Sequence, residues 1–187
     1  MNIRTFIALE ISDVIRNQIT IIQKQLTNKG AELNWIKNEN IHLTLRFLGE
    51  IDDNNHNKIF EAMNKVAENA RCLNLSLTEL GMFSDKYNPT VIWVGIGGEV
   101  EELRQVAERC DYYLTASGFE IEKRYFKPHI TIGRIKKLTD KKLFISEVNG
   151  IKIDQTAFKI KKLNVVKSDL KPTGANYTNL HTVHFYN

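Results

Sequence analysis

Apolar positions along this chain fall into two rhythms that alternate from end to end, one matching an amphipathic helix and the other a half-buried strand. Residues 4–10 read as an apolar strand. Residues 12–28 then place Val14, Ile15, Ile19, Ile22 and Leu26 at helical spacing, with Ser12 positioned to cap the start and Gly30 to stop the chain beyond the end. Residues 33–36 and 41–48 are short strand-like runs, and residues 54–70 return to the helical rhythm through Ile59, Met63, Val66 and Ala70. Leucines alternate with polar neighbours over residues 73–80, and residues 91–96 form an apolar run bounded by Pro89 and the Gly97-Gly98 pair. The order then repeats. Residues 99–117 predict an amphipathic helix ended by Gly118, residues 125–134 a strand and residues 141–148 a short helix. Two last strands, over 156–166 and 177–186, are joined by residues 168–174, whose Pro172 and Gly174 suit a hairpin-like connection.

Many of these strands are linked too briefly for parallel crossovers, so the sheets should be largely antiparallel, in an α+β arrangement. With 187 residues and no low-complexity linker, the chain is expected to form a single domain over residues 1–187, with room for two small lobes. Hydrophobic residues at 42% and charged residues at 26% give the balance of a soluble globular protein and exclude a disordered or fibrous one. A formal charge of +4 suits an anionic substrate without the dense basic runs of architectural nucleic-acid binders. The apolar run Phe6 to Leu9 is too short for a signal-peptide core, and no window approaches the ~20 apolar residues of a membrane helix, so a cytoplasmic protein with no membrane partner is expected. Cys72 and Cys110 form no CxxC pair and are expected as free, buried thiols.

Two short segments far apart in the chain carry the same pattern, His42-Leu43-Thr44-Leu45 and His129-Ile130-Thr131-Ile132. In a strand, alternate side chains share a face, so each segment offers an imidazole beside a hydroxyl while its aliphatic residues enter the core. Set side by side about an approximate two-fold axis, the two strands would bring four polar groups into one cleft. One such string is what an ordinary half-exposed strand produces. Two of them, using two of only five histidines, point to a shared site. In-line displacement at phosphorus needs a base on one side and an acid on the other, and two imidazoles can supply both near neutral pH. The threonine hydroxyls can donate to the non-bridging oxygens, where charge builds up. Neither histidine has a second metal ligand at a typical spacing, and no phosphate-binding loop or dinucleotide fingerprint occurs, so no metal or other cofactor is expected.

These motifs, with the opening Arg4-Thr5-Phe6-Ile7-Ala8-Leu9, the run from His42 to Glu50, Gly81-Met82-Phe83, Val91 to Gly95, Pro128 to Arg134 and Ser168 through Gly174 to Tyr177, resemble the two-histidine phosphoesterases. Within them the resemblance is to the bacterial and archaeal RNA 2′,3′-cyclic phosphodiesterases, also called 2′-5′ RNA ligase-like proteins. It implies a bilobed α+β fold, two largely antiparallel sheets related by pseudo-two-fold symmetry, helices on the outer faces and a motif on each side of a central cleft. The implied activity is hydrolysis of a terminal 2′,3′-cyclic phosphate to a 2′-phosphomonoester, with weak 2′-5′ ligation. His42 then resembles the proton donor and His129 the proton acceptor, with Thr44 and Thr131 holding phosphate. The sequence leaves the two proton roles interchangeable, because the pair swaps them between cleavage and ligation.

Arg134 matches the arginine that closes the second motif, where a guanidinium would hold phosphate through two parallel hydrogen bonds. It lies five residues after His129, on the opposite face of a regular strand, so the role requires a bulge near Gly133. Arg46 shares the face of His42 in a regular strand and is left open between pocket edge and solvated surface. Phe83, ahead of Ser84-Asp85-Lys86, is of a type that stacks on nucleobases, with core burial the expected role; Trp35 and Trp93 are expected as packing residues. His56, His181 and His184 are expected to be structural or surface residues, and Lys136, Lys137, Lys141 and Lys142 to form a solvated basic face. The expected partner is an RNA with a 2′,3′-cyclic phosphate end, bound by a monomer. Two alternatives stay open: a phosphodiesterase acting on a small cyclic nucleotide, 2′-5′ oligonucleotide or ADP-ribose cyclic phosphate, and a non-catalytic module that binds RNA ends.

Overall fold

The structure, a computed structural model, describes residues 2–85, 88–120, 125–171 and 174–187. In chain order the elements are β1 (Asn2–Leu9), α1 (Asp13–Leu26), β2 (Ala31–Trp35), β3 (Leu43–Asp52), α2 (His56–Glu68), β4 (Leu73–Asp85), β5 (Asn88–Gly98), α3 (Val100–Ala116), β6 (His129–Leu138), α4 (Lys141–Gly150), β7 (Ala157–Ile160), β8 (Lys162–Lys171) and β9 (Gly174–His184). Gly118, at φ 92°, follows the cap of α3, where the left-handed turn that ends a helix suits a residue without Cβ; after α1 that position is taken by Asn28 at φ 60°, and Gly30, at 81°, turns the chain into β2. Ser12 precedes α1 in an extended conformation, but its hydroxyl makes no capping bond.

Among the described residues the named strands pair antiparallel throughout, in two sheets of order β3-β1-β8-β9 and β2-β6-β5-β4-β7. Laid against each other, β3-β1-β8-β9 corresponds to β6-β5-β4-β7, with β2 added beyond β6. Each sheet borrows its third strand from the opposite half of the chain: β8 joins β1, and β4 joins β5. That exchange explains why the run over 156–166 is two strands and not one. It pairs with β4 up to Ile160 and with β1 from Leu163, so the chain crosses between sheets around Lys161. The ladder of β8 with β9 continues to Lys171 opposite Gly174, which makes most of the expected loop over 168–174 strand; Pro172 and Thr173 lie outside the described residues.

The helices bury one stripe each in a common core, α1 through Ile15, Ile19, Ile22 and Leu26, α2 through Ile59, Met63 and Val66, α3 through Leu103, Val106, Cys110 and Leu114, and α4 through Phe144 and Val148. Each fully buried aliphatic side chain contributes roughly 1.5–3 kcal/mol. Strand alternation divides the first sheet: Ile7, Leu9, Leu43 and Val165 face this core, while Phe6, Ala8 and Val166 form a separate cluster with Tyr177 on the other face. Cys72 and Cys110 are free and buried. Among the described residues no helix is long and apolar enough to cross a membrane.

Candidate active site

The two motifs do not lie side by side in one ladder, as a simple two-fold pairing suggests. His42 precedes β3 at the edge of the first sheet and His129 opens β6 in the second, and the cleft lies between the sheets. Period-2 alternation places the residues as expected in both, with Leu43, Ile130 and Ile132 fully buried and the histidines and threonines half-buried. The ring nitrogens are held in the same way. Nδ1 of His42 lies 2.7 Å from the carbonyl oxygen of Asn40, and Nδ1 of His129 lies 2.6 Å from that of Lys127, each two residues upstream. A carbonyl only accepts, so Nδ1 is the protonated nitrogen in both rings and Nε2 is the one available to a substrate. In His42, Nε2 lies 2.9 Å from Thr44 Oγ1.

Aromatic side chains pack around both imidazoles: Phe6 and Tyr177 have ring centroids 4.8 and 5.4 Å from His42, and Phe83 and Trp93 have theirs 4.9 and 6.3 Å from His129. Burial pushes His42 below the ordinary imidazole value, against the pull of the Asn40 carbonyl. Burial likewise lowers His129; the Lys127 carbonyl opposes the shift and the Lys127 ammonium adds to it. Burial raises the Tyr177 phenol, while the guanidiniums of Arg134 and Arg4 draw it back.

Bulges decide which later residues reach the cleft. In β6, Trp93 pairs with Thr131 and Ile92 with Gly133, so Ile132 is an extra residue that resets the alternation and brings Arg134 to the face of Thr131. In β3, Ala8 pairs with Thr44 and Ile7 with Arg46, so Leu45 is the extra residue. The same reset removes Arg46 from the face of His42. It borders neither the hollow at His42 nor that at His129 and is not solvated surface but buried, bonded to Asp111 on α3 and to the carbonyl of Glu120.

Two hollows adjoin, sharing Thr44 and Phe47 in their walls. One, of about 760 Å³, is lined by His42, Thr131 and Arg134 together with Arg4, Lys171 and Tyr177, and no carboxylate lines it among the described residues. The other, of about 440 Å³, is lined by His129, Lys127 and Asp111 and by the rings of Phe83, Tyr125 and Phe126. All five residues singled out from the sequence therefore border this pair of hollows. Phe83 is not core: it is half-buried in the second hollow, because β4 runs past the core to the cleft and leaves its ring against His129. Trp93 is buried, and Lys127 Nζ stands 4.3 Å over its ring. Trp35 packs on the core and also lines the first hollow. Lys136, Lys137, Lys141 and Lys142 are exposed and border neither. His56 is buried, with Nε2 3.3 Å from Thr5 Oγ1; His181 meets Asn64, and His184 is exposed.

Sequence reasoning gave Arg4, Phe47, Lys127, Lys171 and Tyr177 no role in the site. Arg4, Phe47, Lys171 and Tyr177 do fall inside segments that carry the family resemblance, and that was the signal that could have found them. Among the described residues, no three His, Cys, Asp or Glu side chains gather as a metal site.

Two halves of one chain, each setting a His-x-Thr strand against a shared cleft, define a phosphoesterase of duplicated build. The family model described as LigT like Phosphoesterase matches the chain twice, over residues 9–93 and 94–177, and the chain belongs to that family. It is 31% identical over 182 residues to the RNA 2′,3′-cyclic phosphodiesterase of Thermotoga maritima, covering 97% of this chain and 95% of the relative. It is 32% identical over 175 residues to that of Methanocaldococcus jannaschii, covering 93% and 96%. The fold is that of E. coli LigT crystallised with 3′-AMP, at a TM-score of 0.79 and 20% identity over 100% of both chains. A Thermus thermophilus crystal structure gives a TM-score of 0.82 at 22% identity over 97% of both.

Proposed function

We propose that this chain is an RNA 2′,3′-cyclic phosphodiesterase in which His42 and His129 act as a proton-transfer pair. The observation that carries the reading is the meeting of both motifs, from opposite halves of the chain, on adjoining hollows that share Thr44. Neutral His129 takes a proton from water through Nε2 as the water oxygen bonds to phosphorus. The bond from phosphorus to O3′ breaks on the opposite side, and protonated His42 gives its Nε2 proton to O3′. The product is a 2′-phosphomonoester with a free 3′-hydroxyl. Thr44, Thr131 and Arg134 donate to the non-bridging oxygens, where charge gathers; removing one such donor typically costs ~10²–10³-fold in rate.

The first hollow favours a polynucleotide over a small cyclic nucleotide. Arg4, Arg134 and Lys171 together supply more cationic donors than one phosphate group needs, so a second, upstream phosphate suits them. The test is turnover of a short RNA ending in a 2′,3′-cyclic phosphate, in EDTA, with the product identified and His42→Ala and His129→Ala run alongside. A 2′-phosphate formed by the parent chain and lost in both variants is the expected result. Binding without turnover would instead mark a module that only holds RNA ends.

A further inference from the structure

The two motif strands are held unequally. Along its outer edge β6 carries β2, paired from Ala31 opposite Leu138 to Trp35 opposite Gly133. The buried amide of Gln23 fastens that seam, donating to the carbonyls of Ile36 and Ile132 at 2.8 and 2.9 Å. Among the described residues β3 is instead the outermost strand of its sheet, with a ladder to β1 on one side and none on the other. An edge strand lacks one of the two rows of main-chain bonds that hold an interior strand. Yet β3 follows directly on His42 and carries Thr44, which must keep their distance from a histidine in the other sheet.

Arg46 supplies a second hold, from the buried face of β3. It stands four residues after His42, the place that Gly133 takes after His129. Gly133 lies against the Trp35 ring with no room for a Cβ, whereas at Arg46 the bulge sends a whole guanidinium inward, to 7% exposure. Its two amino groups part: Nη1 donates to the Asp111 carboxylate on α3, and Nη2 to the carbonyl of Glu120, nine residues ahead of His129. Both acceptors belong to the half of the chain that carries the second motif, and Asp111 also lines the hollow at His129. The strand of the first motif thus grips the wall of the second. A planar guanidinium bonded at two points sets direction as well as distance, which a rotating ammonium does not. Buried ion pairs add little stability over well-packed apolar residues, so what this one adds is fixed geometry.

We propose that Arg46 is a positioning residue of this site: by tying β3 to Asp111 and Glu120 it sets the spacing at which His42 and His129 face the phosphorus. The proposal rests on the reaction proposed above. Proton transfer on opposite sides of one atom tolerates little misplacement, a shift of about 1 Å costing on the order of 10²-fold in rate, whereas a bound phosphate is held by donors from either half. Loss of the tie therefore falls on kcat and spares binding.

Arg46→Met keeps the length of the stem without the charge, and the Asp111 side chain, 37% exposed, can then turn to solvent. The test measures kcat and KM on an RNA ending in a 2′,3′-cyclic phosphate and Kd for a nucleoside 2′-phosphate, at a temperature where thermal melts show each chain folded. In Arg46→Met kcat should fall by about 10²-fold, with KM and Kd within a few-fold of the parent. Arg46→Lys, which keeps a charge at Asp111 but not the two-point geometry, should recover part of kcat. If Arg46→Met does not fold, the same split between kcat and Kd is read on Arg46→Lys. Unchanged kcat, or kcat and product binding lost together, would overturn the role of Arg46 and leave the reaction standing. No turnover by the parent chain would remove the reaction and this role together.

Discussion

Thr44 donates its hydroxyl proton to Nε2 of His42 across 2.9 Å, because the other ring nitrogen already gives its own proton to the Asn40 carbonyl. The resting site thus pairs the nitrogen proposed for proton transfer with the hydroxyl proposed to hold phosphate. In the proposed reaction, a phosphate oxygen accepting from Thr44 would uncover Nε2 as the substrate arrives. Thr44→Ser should keep kcat within a few-fold of the parent. Thr44→Val, similar in shape but with no donor, should cut kcat by ~10²–10³-fold with the melting temperature unchanged, because the residue is only half-buried.

Both imidazoles are pushed below 6.5 by burial, so the free protein holds both mainly neutral at pH 7. The proposed proton transfer needs one of them charged. The optimum of kcat/KM should therefore lie below pH 6.5, and that of kcat at higher pH, since an anionic phosphate beside the rings favours the imidazolium. Rate profiles over pH 4.5–9 on a cyclic-phosphate RNA would read this, and coincident optima would contradict it.

The same shifts carry a sign for stability. Between the lowered folded-state values and 6.5 the unfolded chain binds protons that the folded chain does not, so stability is full above pH 6.5 and declines on acidification. Thermal melts from pH 7.5 to 5 should record that decline, with a shallower slope in the double variant His42→Gln, His129→Gln.

Arg4 and Lys171 should act on the chain upstream of the reacting end. Each replacement by Ala should raise KM for an oligonucleotide and flatten its dependence on salt, by a slope of about 0.7 for each phosphate of a single strand that is no longer neutralised. Turnover of a mononucleoside 2′,3′-cyclic phosphate should stay near the parent value, and an equal loss on both substrates would place these cations at the reacting phosphate instead.

Gly81 lies under Trp93, and a Cβ there would overlap the indole. Trp93 in turn packs beside His129 and under the Lys127 ammonium. Gly81→Ala should therefore cost about 1–3 kcal/mol in denaturant unfolding and shift the tryptophan fluorescence. Activity should fall further than stability alone explains, because displacement of the indole moves the His129 ring.

Much of this protein follows from local pattern alone. Strand and helix rhythms are set by which residues can bury a face, so the order of elements and the inward turn of Leu43, Ile130 and Ile132 are written in period and spacing. Pairing each imidazole with a hydroxyl is equally local, since residues i and i+2 of a strand share a side. Tertiary structure decided what depends on a partner strand. The bulges at Leu45 and Ile132 exist only in the registers of β3 on β1 and of β6 on β5, and they alone send Phe47 and Arg134 to the cleft while turning Arg46 inward to Asp111. The exchange of β8 and β4 between sheets brings Lys171 and Tyr177 to His42 from more than a hundred residues away, a proximity that no local rhythm encodes because it comes from how two sheets close over a common core.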